Sequence, residues 1–144
     1  MKKISYLSLF LLIYVSCTQQ GSKFPQGAWK QYSSESYVDG KLTDKQIVTY
    51  NNMKLFSEKK WEFVWKIQTD SMPYYNYGAG SYTLNGKDYS ETIEMHVAKE
   101  YVGQTINMTL ELKLDTLIQT WNPIDSTGKP STRVSYVDKY IHLK

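Results

Sequence analysis

The fold is decided by residues 106–114, which read INMTLELKL. Apolar side chains occupy every second position from Ile106 to Leu114, and polar or charged side chains occupy the positions between them. Successive side chains of a β-strand point to opposite faces, so this alternation predicts a strand with one buried and one exposed face. A chain built from such strands belongs to the all-β class.

Similar segments recur on both sides of this strand and are separated by turn signals. On one of them Trp61, Phe63 and Trp65 share a single face. The dipeptides Asp39-Gly40 and Asn85-Gly86 predict tight hairpin turns. The predicted strands are residues 29–38, 45–50, 53–56, 61–66, 81–84, 89–97, 106–114, 117–121 and 132–143. About eight to nine short strands without an amphipathic helix predict an antiparallel up-and-down β-barrel, with a β-sandwich as the alternative.

The amino-terminal segment has the pattern of an export signal. Two lysines, Lys2 and Lys3, precede an apolar stretch over residues 4–15, and Cys17 is the only cysteine. This pattern predicts a lipoprotein signal peptide over residues 1–16 and a lipid on Cys17, with an ordinary signal peptide as the alternative. Residues 17–26 are then a flexible tether, and residues 27–144 form the barrel domain.

Charge and the residues after Cys17 set expectations for location and partners. The full sequence has a net charge of +3, which falls to +1 when the two lysines of the signal segment are removed. A near-neutral chain with interspersed signs offers no electrostatic basis for binding nucleic acid. Because Thr18 rather than an aspartate follows Cys17, we expect a lipid anchor in the outer membrane and a domain that faces the periplasm.

Four further segments are informative: Gly27-Ala28-Trp29, residues 54–65, residues 78–84 and residues 89–96. Together they resemble the lipocalin-like (calycin) exported proteins of bacteria, in particular a family of small lipoproteins with a domain of unknown function. The resemblance implies a lipocalin-like barrel that can enclose a cavity, and it implies no established activity. Calycins usually place an arginine of the last strand against the opening tryptophan, and the candidates here are Arg133, Lys139 and Lys144.

A barrel of eight strands encloses only enough space for side chains or one small ligand. On the strand over residues 89–97 the alternation predicts an inward face of Tyr89, Glu91, Ile93 and Met95. The outward face is then Thr92, Glu94 and His96. A carboxylate inside a barrel is costly unless it is paired, so Glu91 is the main polar candidate for ligand contact. The alternative places Glu91 at the barrel rim, bonded to Tyr82 or Arg133.

The predicted ligand-binding residues are Trp61, Phe63, Trp65, Tyr82, Tyr89 and Glu91. Plain core packing is the alternative for the three aromatic residues of the 61–66 strand. Trp29 is expected to close the bottom of the barrel. Residues 74–77, which include three tyrosines, are predicted to form a loop after Pro73 that caps the barrel or contacts an envelope protein.

Three functions remain open at this point. The first is a tethered binding protein for a small, largely apolar or aromatic molecule. The second is a filled barrel whose tyrosines contact cell-envelope proteins or glycans, and the third is an enzyme that uses Glu91 as an acid or base. The third has the least support because no second catalytic partner is identifiable. No catalytic residue and no cofactor are predicted. No metal site is predicted either, because such a site needs three or four ligands and the only histidines in the sequence are His96 and His142.

Overall fold

The computed structural model describes residues 26–67, 72–125 and 127–144. The predicted signal peptide (residues 1–16), the lipid-bearing Cys17 and the tether up to residue 25 lie outside the described residues. The described strands are β1 (Gly27–Val38), β2 (Lys41–Ile47), β3 (Asn52–Phe56), β4 (Lys60–Ile67), β5 (Tyr74–Asn85), β6 (Asp88–His96), β7 (Thr105–Lys113), β8 (Thr116–Trp121) and β9 (Val134–His142). One 3₁₀ helix, Lys99–Tyr101, lies between β6 and β7. No helix in the described parts is long and apolar enough to cross a membrane.

The strands form one antiparallel sheet that closes on itself. β3 to β9 pair in sequence order, and β9 returns to pair with β1 along almost its whole length. The edge of β1 opposite β9 pairs with two strands. Residues 27–30 of β1 pair with β3, and residues 33–38 pair with β2. The eight strands other than β2 therefore make a closed ring, which confirms the predicted barrel, fits a lipocalin-like fold and excludes the sandwich.

The hairpin turns follow the local sequence closely. Asp39 and Gly40 have φ angles of 50° and 75° and link β1 to β2, as the dipeptide predicts. The β5–β6 hairpin is displaced by one residue from the expected Asn85-Gly86 turn. Asn85 pairs with Asp88, so the two loop residues are Gly86, with φ of 62°, and Lys87.

One end of the barrel is filled by a hydrophobic core, here called the closed end. Its buried residues include Trp29, Phe56, Trp61, Tyr89, Leu110 and Leu117. The ring of His142 packs edge-on against Trp29, with 4.9 Å between the ring centroids. The register makes His142 the direct partner of Trp29 on β9. The expected arginine or lysine is therefore not at that position: Arg133 binds Asp39, Lys139 binds Glu35, and the third candidate, Lys144, is exposed beyond the end of β9.

A bulge in β6 changes which side chains face inward. Gly80 pairs with Ile93 and Ala79 pairs with Met95, so Glu94 is an extra residue without a direct partner. Up to Ile93 the predicted faces are correct. Beyond Glu94 they are reversed, because one inserted residue shifts a period-2 pattern by one position. Met95 is 54% exposed, and His96 turns toward the barrel interior.

Two other sequence expectations are corrected at strand ends. Residues 74–77 are not a loop, because they begin β5 and pair with residues 64–67 of β4. The regular alternation of β7 buries Met108 and Leu110, but Leu114 is 96% exposed. Leu114 follows the end of β7 and has a φ of 55°, so it belongs to the turn into β8 rather than to the buried face.

Candidate functional site

The barrel interior contains a cavity of about 210 Å³ between the closed end and the opposite end of the strands. Its aromatic lining consists of Trp61, Phe63, Trp65, Tyr101, Trp121 and Tyr140. Its polar lining consists of Lys54, Asn76, Glu91, His96, Gln119 and Asp138. A compact space that combines aromatic walls with a few polar groups has the composition of a small-molecule site.

Strand β4 supplies one aromatic wall because every second residue faces inward. Trp61 and Phe63 stack with 6.0 Å between centroids and an interplanar angle of 4°, and Phe63 lies 5.6 Å from Trp65. Gly78 is the strand partner of Phe63 on β5. A Cβ at Gly78 would lie 2.7 Å from the Phe63 ring, so only glycine leaves room for the ring in this position.

Below this wall lies a buried ion pair. The Lys54 ammonium on β3 donates to Oε1 of Glu91 on β6 and, at 2.8 Å, to Oε1 of Gln119 on β8. The Tyr89 hydroxyl donates to the same Glu91 oxygen. The Lys54 Nζ also lies 5.3 Å from the ring of Trp61, within cation–π range. Glu91 is therefore an inward carboxylate, as predicted, but its partner is Lys54 rather than Tyr82 or Arg133.

A second buried carboxylate, Asp138 on β9, was not predicted. Its Oδ1 accepts hydrogen bonds from Gln31 Nε2 and Ser34 Oγ, and its Oδ2 accepts one from Trp121 Nε1, each at 2.7 Å. Burial raises the pKa of Asp138 above its ordinary value, although these hydrogen bonds and the charge of Lys54 act in the opposite direction. Gln31 in turn accepts a hydrogen bond from Asn52, so polar contacts continue across the interior.

The missed residues carry a signal that strand alternation can reveal. Lys54 shares a face with Phe56 on β3, and Gln119 shares a face with Leu117 on β8. Asp138 likewise shares a face with Tyr140 on β9. Counting outward from each apolar residue by steps of two therefore assigns all three polar residues to the interior.

The structure brings most of the predicted ligand-binding residues together. Trp61, Phe63, Trp65 and Glu91 line the cavity. Tyr89 lies beneath it, where burial raises the pKa of its hydroxyl well above the ordinary value. Tyr82 lies apart from the cavity lining, at the closed end. Its hydroxyl is 2.8 Å from the carbonyl oxygens of Ser57 and Glu58, and burial also raises its pKa.

The bulge adds His96 to the cavity wall. Its Nδ1 lies 3.0 Å from the backbone nitrogen and 3.2 Å from the carbonyl oxygen of Ala98, so the residue before the 3₁₀ helix contacts this side of the ring. The imidazole packs between Tyr101 and Phe63, with centroid distances of 4.9 and 5.8 Å. Among the residues that the structure describes, no group of three or more His, Cys, Asp or Glu side chains is arranged to hold a metal ion.

Comparison with known proteins gives only distant similarity. No protein family and no curated protein matches this sequence. One similar solved structure is an uncharacterized protein from Bacteroides eggerthii, with a TM-score of 0.45 and 17% identity over 79% of this chain and 97% of the other. Another is the odorant-binding protein OBP1, with a TM-score of 0.48 and 9% identity over 82% of this chain and 71% of the other. The fold assignment rests on the strand pairing described above.

Proposed function

We propose that this protein binds one small, largely apolar molecule inside the barrel. The observation that supports the proposal is the cavity of about 210 Å³ lined by Trp61, Phe63 and Trp65. The interior of an eight-stranded barrel either is filled by its own side chains or holds one small ligand. Here the space between the aromatic wall and the Lys54–Glu91 pair is left open.

The cavity size limits the ligand. A volume of about 210 Å³ accommodates roughly ten non-hydrogen atoms at the packing density of organic crystals. Typical drug-sized sites are larger, at roughly 300–1,000 Å³. A compact aromatic molecule therefore suits this space better than a long acyl chain.

The test is a fluorescence titration, since Trp61, Trp65 and Trp121 line the cavity. We expect saturable, one-site changes with at least one member of a panel of small aromatic molecules. Trp65→Ala should weaken that binding about tenfold or more, whereas Val64→Ala, next to it on β4 but exposed, should leave it unchanged. A folded protein that binds no member of the panel, or equal effects of the two substitutions, would contradict the proposal.

We also propose that a lipid on Cys17 tethers the barrel to the outer membrane, on the periplasmic side. The support is the sequence pattern of residues 1–17. Replacement of Cys17 by serine should move the protein from the membrane fraction to the soluble fraction. Retention of that variant in the membrane fraction would rule out the lipid as the anchor.

An interaction surface is the second candidate, and it is supported by the exposed tyrosines of β5. Tyr75 and Tyr77 are 50% and 42% exposed, and Tyr77 pairs with the exposed Val64 of β4. Tyrosines with such exposure are suited to contacts with envelope proteins or glycans. A photo-crosslinker at position 75 should then trap a partner in intact cells, with position 111 on β7 as the control site. Equal labelling from both positions would argue against this surface.

A further inference from the structure

The charges that line the cavity do not balance. Apart from the titratable ring of His96, its charged side chains among the residues described are Lys54, Glu91 and Asp138, giving two carboxylates for one ammonium. The ammonium of Lys54 is bonded to Glu91. Asp138 receives its three hydrogen bonds from neutral groups, namely an amide, a hydroxyl and an indole. The cavity therefore carries one negative charge in excess when Asp138 is ionised and His96 is neutral.

Hydrogen-bond acceptors are also left over. An ionised carboxylate offers about four acceptor positions, and Asp138 uses three of them. Glu91 receives both of its hydrogen bonds on Oε1, and no described residue donates to its Oε2. The Oδ1 atom of Asn76, another lining residue, is buried without a hydrogen-bond partner among the described residues. Lys54 already uses two of its three N–H groups.

We infer that the ligand is a small arylalkylamine, an aromatic ring that carries an aliphatic amine. Its ammonium group lies against Asp138 and Glu91, and its ring lies among Phe63, Trp65 and Trp121. The inference rests on the proposed function and specifies its ligand class. An ammonium supplies several N–H donors and the missing positive charge, and aromatic faces attract cations. A carboxylate ligand would add a second uncompensated charge in a buried site, which is costly.

The contact between Asp138 and Trp121 supports this orientation. The two side chains are joined by a hydrogen bond, so the acid and one aromatic face are held side by side.

The test compares three probes of nearly equal shape by titration calorimetry on the purified protein at pH 7. The probes are 2-phenylethylamine, 2-phenylethanol and 3-phenylpropionate. We expect one-site binding of the amine, at least tenfold weaker binding of the alcohol, and no detectable binding of the carboxylate. Asp138→Asn should weaken amine binding at least tenfold and change alcohol binding little. Glu94→Gln, which alters an exposed carboxylate on the same strand as Glu91, is the control.

The outcomes separate the two proposals. Alcohol or carboxylate binding as tight as that of the amine would overturn the amine inference and leave the ligand-binding function standing. Failure of all three probes with a folded protein would overturn the inference, and failure of the wider aromatic panel would overturn the function as well. If Asp138→Asn does not fold, the comparison of probes on the unaltered protein decides the question. An equal loss of amine and alcohol binding in that variant would show that Asp138 does not act on the ammonium.

Discussion

At the scale of single residues, the interior ion pair is the feature with the largest energetic consequence. Lys54 and Glu91 are 4% and 5% exposed, so both charges are removed from bulk water. Such a transfer is favourable only when the charges meet each other and their remaining hydrogen-bonding groups are satisfied. Gln119 and Tyr89 supply two of those additional hydrogen bonds, whereas Oε2 of Glu91 receives none from a described residue.

Breaking this pair from one side should be more damaging than removing it. We expect Lys54→Met to lower the free energy of unfolding by about 3–5 kcal/mol, because it leaves Glu91 buried without a counter-charge. The double variant Lys54→Met/Glu91→Gln should lose less than the sum of the two single variants. Urea unfolding of the four proteins measures this coupling.

The exposed pair Lys60–Glu94 provides a matched control, because it joins the same residue types on the outside of the barrel. The same substitutions at Lys60 and Glu94 should change the free energy of unfolding far less than those at Lys54 and Glu91, because exposed ion pairs contribute little to stability. Additive losses at Lys54 and Glu91 would show that the interior charges act independently.

A second charged cluster predicts how stability depends on pH. Glu35 on β1 accepts a hydrogen bond from Lys139 and pairs with Lys45, and these contacts lower its pKa from 4.5 to about 2. Because the folded-state pKa is depressed, the stabilisation is complete above pH 4.5 and is lost as the pH falls toward 2.

Glu35→Gln should therefore unfold more easily than the unaltered protein at pH 7, and the difference should shrink as the pH falls from 4.5 toward 2. Thermal unfolding of both proteins at pH 7 and pH 2.5 measures the two differences. A difference of the same size at both pH values would show that Glu35 stabilises the fold by something other than its charge.

At the scale of elements, the bulge between β5 and β6 shapes the cavity wall. A Cβ at Gly80 would lie 1.9 Å from the backbone oxygen of Thr92, so the two strands approach each other more closely than any side chain allows. This contact lies beside Glu94, the inserted residue that turns His96 inward and Met95 outward. Glycine at position 80 and the bulge are thus parts of one arrangement.

Gly80→Ala should lower the free energy of unfolding by about 2–4 kcal/mol, because backbone rather than a flexible side chain must move. Ala79→Ser on the same strand is the control and should change stability little. Urea unfolding measures both values, and the NMR shifts of the His96 ring report whether the bulge is preserved. Unchanged stability and unchanged His96 signals in Gly80→Ala would contradict the close approach.

At the scale of the whole molecule, the barrel closes without β2. All seven residues of β2 are exposed, and within the described residues this strand pairs only with β1. Each strand of the ring has neighbours on both sides and contributes to the enclosed core. Opening β2 therefore exposes little apolar surface, whereas opening the ring exposes the core.

Amide hydrogen exchange should reveal this difference. Peptides that cover residues 41–47 should exchange at least tenfold faster than peptides that cover residues 105–113 of β7, because β2 can open without unfolding the barrel. Mass spectrometry of the exchanging protein at neutral pH measures both. Equal protection of the two segments would show that β2 is part of the same cooperative unit.

The sequence by itself determined the all-β class, the turn at Asp39-Gly40 and most of the strands, but it missed residues 41–44 of β2 and residues 74–80 of β5. Period-2 alternation depends only on neighbouring residues, and so do the inward faces of Trp61, Phe63 and Trp65. The inward position of Glu91 follows from the same local counting. An antiparallel order of neighbouring strands then follows from short connections, which bring consecutive strands together.

Tertiary structure alone decided which interior groups meet. Lys54 and Glu91 are 37 residues apart, and Gln31 and Asp138 are 107 residues apart, so no local pattern links them. The reversal at His96 is also a tertiary effect, because it arises from the register between β5 and β6. Alternation gives the face of a residue only relative to its own strand, while closure of the ring and the bulge determine which faces share the cavity.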